Sequence, residues 1–286
     1  MRILERDVTC REPASWPGEP DGRAAEPSLT EVEVAVLGPV EIRGAARAFT
    51  RANAAELVVY LAVHRRGAAN DVWATALWPD QLMAGPTLHS TASAARRSLG
   101  RSRAGHDHLP RSRGRLALAP TVGTDWRRLV ALGGRDDPAD WWRGLDAVRG
   151  RPFDGLRNVD WAVLEGIAAA VEDDVVRLAS RVAEHHLARG EGAPAARAAR
   201  VGLLASPFDE RLYRLILRAA DAEGNPSGVE SAMAELVRVA GGGSGGPARH
   251  RPVGPGDLSL VHPETVALYR SLSRHRGAVG PPPGTL

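Results

Sequence analysis

Residues Glu31-Val32-Glu33-Val34-Ala35-Val36-Leu37 alternate polar and apolar positions, the pattern of a half-buried strand. Gly38-Pro39 turns the chain, and Val40-Glu41-Ile42-Arg43-Gly44 predicts a returning strand. From about Ala52 to Arg65 the period becomes helical. Leu57, Val58, Leu61 and Ala62 share one face, and Gly67 closes the element. Asn70 or Asp71 is the expected N-cap of a short helix, Val72 to Leu77, which Pro79 ends. Trp73, Leu77 and Trp78 group on one side of it, as core packing requires. A further helix spans Thr87 to Leu99 and stops at Gly100. Leu88, Ala92, Ala95 and Leu99 form its inner face. Ser90, Ser93, Ala94 and Arg97 form the outer one, with His89 and Arg96 on a flank. The run Leu109-Pro110-Arg111-Ser112-Arg113-Gly114-Arg115-Leu116-Ala117-Leu118 predicts strand, tight turn, strand.

Beyond this point the chain reads as helical nearly to its end. Thr124-Asp125 caps the first stretch, Ala139 to Arg149 is a second, and Asn158 to Arg189 a long third. In the third, Trp161, Leu164, Ala168, Val171, Val175, Leu178 and Val182 step by alternating three and four residues. Such a seam packs within a helical domain. Ala188-Arg189-Gly190 then recurs as Ala222-Glu223-Gly224, an offset of 34 residues. Pro194 and Pro226 follow the glycines, and Ala198 matches Ala232. Ser206-Pro207-Phe208-Asp209-Glu210 opens a helix between the copies. A period of about 34 residues is that of tetratricopeptide helix pairs. Pro263 to His275 makes a final helix that docks back on the repeats.

The fold class expected is therefore mainly α with a small β component. A disordered leader (1–30) precedes a winged-helix domain (31–125). An all-α tetratricopeptide-like repeat domain (126–275) follows, with a flexible linker at 241–256 and a disordered tail at 276–286.

Charge locates the chemistry. The chain contains no lysine, which removes a phosphate-loop lysine, a kinase nucleotide lysine and Schiff-base chemistry together. Residues 31–125 hold 12 arginines against 8 acids, whereas residues 126–286 hold 21 against 20, so an anionic partner belongs to the first folded block. Between Leu88 and Arg115 stand seven arginines and one acid, Asp107. A basic helix followed by a basic hairpin suits a phosphate backbone. The candidate DNA-binding residues are His89, Ser90, Ser93, Arg96, Arg97, Arg101, Arg111, Arg113 and Arg115. Arginine can grip a guanine edge or a phosphate, and small side chains let the helix enter the groove.

The other candidates do not complete a site. His185-His186 lacks an acid or cysteine at ligand spacing, and His106 and His108 are two ligands where a metal needs more. Glu172-Asp173-Asp174 reads as a solvated helix face, and no nucleophile elbow or dinucleotide loop is present. No enzyme activity, metal or cofactor is expected. The single cysteine, Cys10, cannot form an internal disulfide, so a reducing cytoplasm is the expected compartment. No apolar run approaches the roughly 20 residues that span a bilayer.

Val36-Leu37-Gly38-Pro39-Val40, Leu77-Trp78-Pro79-Asp80, Thr87-Leu88 and Arg96-Arg97-Ser98-Leu99-Gly100, with the Leu109-Pro110 strand, resemble an OmpR-like winged helix. Arg151-Pro152-Phe153-Asp154-Gly155-Leu156, Trp161, Leu187-Ala188-Arg189-Gly190 and Pro207-Phe208-Asp209-Glu210 resemble a bacterial transcriptional activator domain. So do Leu215 to Ala220 and Pro263 to Tyr269. The pair, covering roughly residues 31–275, is similar to actinobacterial regulators of the SARP type. The resemblance implies a transcription factor with helix 87–99 in the major groove of double-stranded DNA and wing 109–118 on the backbone. It also implies that the helical half contacts RNA polymerase, another regulator or a second copy. The recognition helix departs from many relatives in its alanines at 92, 94 and 95. The competing expectation is a protein-interaction adaptor whose winged helix no longer binds DNA.

Overall fold

The computed structural model describes residues 30–112, 114–242, 254 and 256–277. Most of the expected leader, linker and tail, and Arg113, lie outside these residues. Strand β1 (Val32–Ala35) pairs antiparallel with β2 (Glu41–Arg43) on one side, the register setting Val34 opposite Ile42. On its other side it pairs in parallel with a strand from the far end of the same domain, which sets Val34 opposite Thr124.

Helix α1 (Ala52–Val63) is buried almost all round, from Ala54 to Ala62, because it is the central helix of this half. Strand β3 (Ala68–Ala69) leads directly into α2 (Asn70–Leu77). The expected side-chain cap at Asn70 or Asp71 does not form. The cap position is Ala69 and makes no side-chain bond. The amide of Asn70 extends the sheet by donating to the Gly114 carbonyl at 3.0 Å, and its Oδ1 accepts from Trp73 Nε1 at 3.2 Å. Trp73 is buried, with the Trp78 ring 6.2 Å away, as core packing predicted.

Helix α3 (Gly85–Leu99) starts two residues before Thr87, with Pro86 in its first turn. The strand–turn–strand expected over 109–118 is not what forms. Among the described residues 109–112 carry no strand, and β4 (Arg115–Leu116) pairs antiparallel with β3, far upstream. Strand β5 (Val122–Thr124), the parallel partner of β1, then completes the larger sheet.

Thr124 caps α4 (Asp125–Gly133), its hydroxyl accepting from the Arg127 amide at 3.1 Å. Asp137 caps α5 (Pro138–Leu145) in the same way. The long helix expected over 158–189 is two. A short α6 (Asp160–Leu164) ends at Gly166, whose φ of +72° is a left-handed conformation that reverses the chain, and α7 (Ile167–Leu187) begins there. Leu164 consequently leaves the expected seam and is 85% exposed, whereas Trp161, Val171, Val175, Leu178 and Val182 are buried.

Four helices form the repeat: α7, α8 (Gly192–Ala205), α9 (Glu210–Ala222) and α10 (Pro226–Ala240). The 34-residue period is physical. Gly190 and Gly224 both adopt positive φ just past α7 and α9, and Ala198 and Ala232 are both buried at matching places in α8 and α10. Pro194 lies in the third position of α8, while Pro226 opens α10. Helix α11 (Pro263–Gly277) packs on α9 and α10. The acidic run 172–174 is less solvated than expected. Asp174 accepts from Trp126 Nε1 at 2.8 Å, and burial pushes the Glu172 carboxyl above the ordinary carboxylate range.

The two halves share one contiguous apolar cluster and a polar seam. Asp125, buried at the head of α4, accepts from the Val36 amide at 2.7 Å and the Leu37 amide at 3.2 Å. Burial raises its pKa, opposed by those two amides and by Arg149, whose guanidinium lies 3.6 Å away. The Leu37 and Val36 carbonyls accept from the Arg149 and Phe153 amides at 2.7 and 2.9 Å. Farther along, His64 meets Glu165 at 2.7 Å, and Asn158 donates to the Ala76 carbonyl at 2.9 Å. The sheet and α1 are thus seated against the loop and helix that open the second half.

Candidate nucleic-acid interface

Helix α3 has one face for the core and one for solvent. Thr91, Ala92, Ala94, Ala95 and Leu99 are buried. Pro86, Ser90, Ser93 and Arg97 fall at i, i+4, i+7 and i+11, a single stripe, and all are exposed, with His89 beside them. Ala94, expected on the outer face, lies inside, so the exposed arc is narrower than the sequence suggests and its middle is Ser90–Ser93. Arg97 has no hydrogen-bond or ion-pair partner among the described residues and presents a free guanidinium at the C-terminal end of the stripe.

Arg96 is placed differently. It is partly buried, and its Nε donates to the Leu109 carbonyl at 2.8 Å, which joins α3 to the segment after it. Desolvation lowers its pKa, the nearby Arg111 charge adds to that, and Asp107 opposes both. Its guanidinium positions the two elements relative to each other before it can touch a ligand.

The expected wing arginines divide in the same manner. Arg115 donates from Nε to the Arg66 carbonyl and from a terminal nitrogen to the Gly67 carbonyl, both at 2.8 Å, and so fastens β4 to the loop before β3. Arg101 and Arg111 approach the two oxygens of Asp107 at 3.1 and 3.8 Å, and both side chains remain largely exposed. The one acid of this stretch therefore faces two cations and neutralises neither fully. Arg103 is exposed, and its amide, not its guanidinium, bonds Glu31 at 2.8 Å.

One contributor was missed by the sequence reading. Arg51, the residue preceding α1, donates to the Ser90 hydroxyl at 2.8 Å and is exposed. It adds a guanidinium beside the middle of the stripe, where α3 itself offers only serines. The loop that carries it also bonds the last turn of α3, through the Ala46 and Arg47 amides to the Leu99 and Ser98 carbonyls. Arg47 is exposed on that loop. No pattern in α3 could reveal these residues, because they belong to the preceding connection.

The exposed helix face has Arg51 bonded to its Ser90 from the preceding loop, and Arg111 on the following segment lies near enough to act on Arg96. Such a surface can pair with phosphates at its edges while the central stripe meets whatever lies between them. Among the described residues no group of three or more His, Cys, Asp or Glu side chains could hold a metal ion. His108 is buried against Thr121, its Nδ1 2.8 Å from the hydroxyl, and His186 lies between Trp142 and Glu191. No helix among the described residues is long and apolar enough to cross a membrane.

Residues 136–239 match the family model of the bacterial transcriptional activator domain. Among solved structures, Mycobacterium tuberculosis EmbR, in complex with a low-affinity phosphopeptide, is similar at 20% identity with a TM-score of 0.56. The match covers 87% of this chain and 71% of that one. No curated protein matches in sequence. The shared feature is the fold: a mainly α chain in which a small β-containing domain precedes an all-α helical repeat.

Proposed function

We propose that this protein, whose fold is similar to that of EmbR and whose residues 136–239 match the activator-domain family, is a sequence-specific DNA-binding transcriptional regulator of the SARP type. Helix α3 enters the major groove, and the loop segments carrying Arg51 and Arg111 lie on the flanking phosphates. The observation that carries this reading is the exposed stripe Ser90–Ser93–Arg97 flanked by guanidiniums from two neighbouring loops. A major groove about 12 Å wide admits a single helix, and small residues at the leading face bring its backbone close to base edges. Arg97 is the one long donor on the stripe and is the candidate for a guanine edge. Serines at 90 and 93 serve either a base or a phosphate.

In this reading the helical repeat supplies contact with RNA polymerase, another regulator or a second copy. The seam through Asp125 and Arg149 fixes that surface relative to the bound DNA. The test is selection of fragments bound by the full chain from a genomic pool, then titration of a selected duplex and a random duplex of equal length. The selected duplex is expected to bind roughly 10³-fold tighter or more, the usual margin for a specific regulator. Equal affinities would remove sequence specificity.

A further inference from the structure

Between α7 and α9 lies an open groove of 610 Å³, a volume within the roughly 300–1,000 Å³ of ligand sites. Its two walls are rows of arginine. Arg177 and Arg181 stand one turn apart on α7. Arg211, Arg214 and Arg218 stand at i, i+3 and i+7 on α9, which keeps them on one side of that helix. Val176 and Leu215, both buried, close the floor. Against five guanidiniums the lining sets two carboxylates, Asp173 and Glu184.

Most of these cations are held in place from outside the groove. Arg177 bonds Asp174 at 2.7 Å. Arg181 donates to the Gly133 carbonyl at 2.7 Å and to Asp136 at 3.2 Å, and lies 4.0 Å over the Trp141 ring. Arg214 donates to the Thr265 hydroxyl at 3.0 Å with Glu264 3.9 Å away, and Arg211 is gripped by Asp209 at 2.6 Å and approached by the groove-lining Asp173 at 3.7 Å. A guanidinium has five N–H donors, so these anchors leave others directed elsewhere, and the orientation is established before any ligand arrives. Arg218 is exposed and has no partner among the described residues.

We propose that this groove binds a short acidic segment of a partner polypeptide. The match is one of charge and shape. In an extended segment successive side chains point to opposite sides, so neighbouring carboxylates reach the α7 row and the α9 row respectively. A groove of this volume holds such a segment but not a DNA duplex, and it is built from other elements than the α3 surface. The inference therefore stands apart from the DNA-binding reading.

The experiment uses the full chain, a fluorescein-labelled hexaglutamate peptide as probe, and anisotropy at physiological ionic strength. Saturable binding is expected, with hexaglutamine not binding. Arg218→Glu should weaken binding about tenfold or more, the loss of a charge-assisted contact. Arg274→Glu, an equal charge change on the exposed side of α11, should change it less than about twofold. Arg218→Gln provides a second variant should the reversal disturb folding, with circular dichroism checking both. The proposal is overturned if hexaglutamate fails to saturate or if hexaglutamine binds equally. It also falls if both reversals have the same effect, if inorganic phosphate at equal concentration displaces the peptide, or if Arg218→Glu weakens duplex binding instead.

Discussion

The Arg96 guanidinium donates to the carbonyl oxygen of Leu109 at 2.8 Å, so the arginine next to the exposed stripe of α3 is tied to the segment that follows it. Its neighbour Arg97 is free on the surface. Two adjacent arginines thus differ in consequence. Arg96→Ala should lower unfolding free energy by about 1–3 kcal/mol, the value of a hydrogen bond from a charged group. In urea the midpoint should fall without a change in slope. Arg97→Ala should change stability by less than about 0.5 kcal/mol.

On DNA the order reverses in kind. Arg97→Ala should cost about 1–3 kcal/mol on a selected duplex and far less on random duplex, since a base contact discriminates. Arg96→Ala should weaken both alike, because it disturbs the placement of the helix and not one contact. Competition titrations with the two duplexes measure this ratio.

Asp125 accepts from two main-chain amides at the end of β1 while facing Arg149. Asp125→Ala would leave both amides without an acceptor and remove the carboxylate 3.6 Å from the Arg149 guanidinium, which keeps the Pro39 carbonyl and Glu41. A loss of about 2–5 kcal/mol is expected, from two buried donors left unsatisfied at roughly 1–3 kcal/mol each. Asp125→Asn keeps one acceptor oxygen and should lose less. Because the seam joins the two halves, limited proteolysis of Asp125→Ala should release a helical fragment that the parent chain withholds.

The chain has three tyrosines, and all three phenols are shifted upward, chiefly by burial. Tyr213 and Tyr269 reach about 12, and Tyr60, which donates to Glu165, is also raised. A group whose pKa is higher folded than unfolded favours the fold fully below its unfolded value, about 10, and that contribution disappears as pH rises through the folded value. Phenolate absorbance should therefore stay flat through pH 10 in the folded protein and then rise together with loss of helical signal. In denaturant it should rise near pH 10. A folded protein with half its phenols ionised at pH 10 would contradict the packing described.

Much of this was legible in the sequence because periodicity is a property of whole helices. The two faces of α3 apart from Ala94, the burial of Trp73, and the 34-residue spacing that sets Gly190 and Gly224 at equivalent helix ends follow from pattern alone. The rest depended on contacts that pattern cannot carry. Gly166 breaks a run whose apolar spacing continues through it, so only its left-handed φ marks the end of α6. Two-residue strands have no alternation to read, and Arg115–Leu116 found its partner at Ala68–Ala69 instead of within 109–112. Arg51 reaches Ser90 across 39 residues of chain, which no local charge count detects.

The most direct test of the α3 surface is duplex affinity of the full chain across a salt series, with Arg51→Ala and Arg111→Ala alongside. Log affinity for a random duplex should fall linearly with log salt, with a slope of about −0.9 per neutralised phosphate. Each variant should bind more weakly and shallow that slope by about 0.9. If the parent chain fails to bind duplex at low salt, or if its slope is unchanged in both variants, the surface formed by α3 and its two flanking loops does not carry DNA.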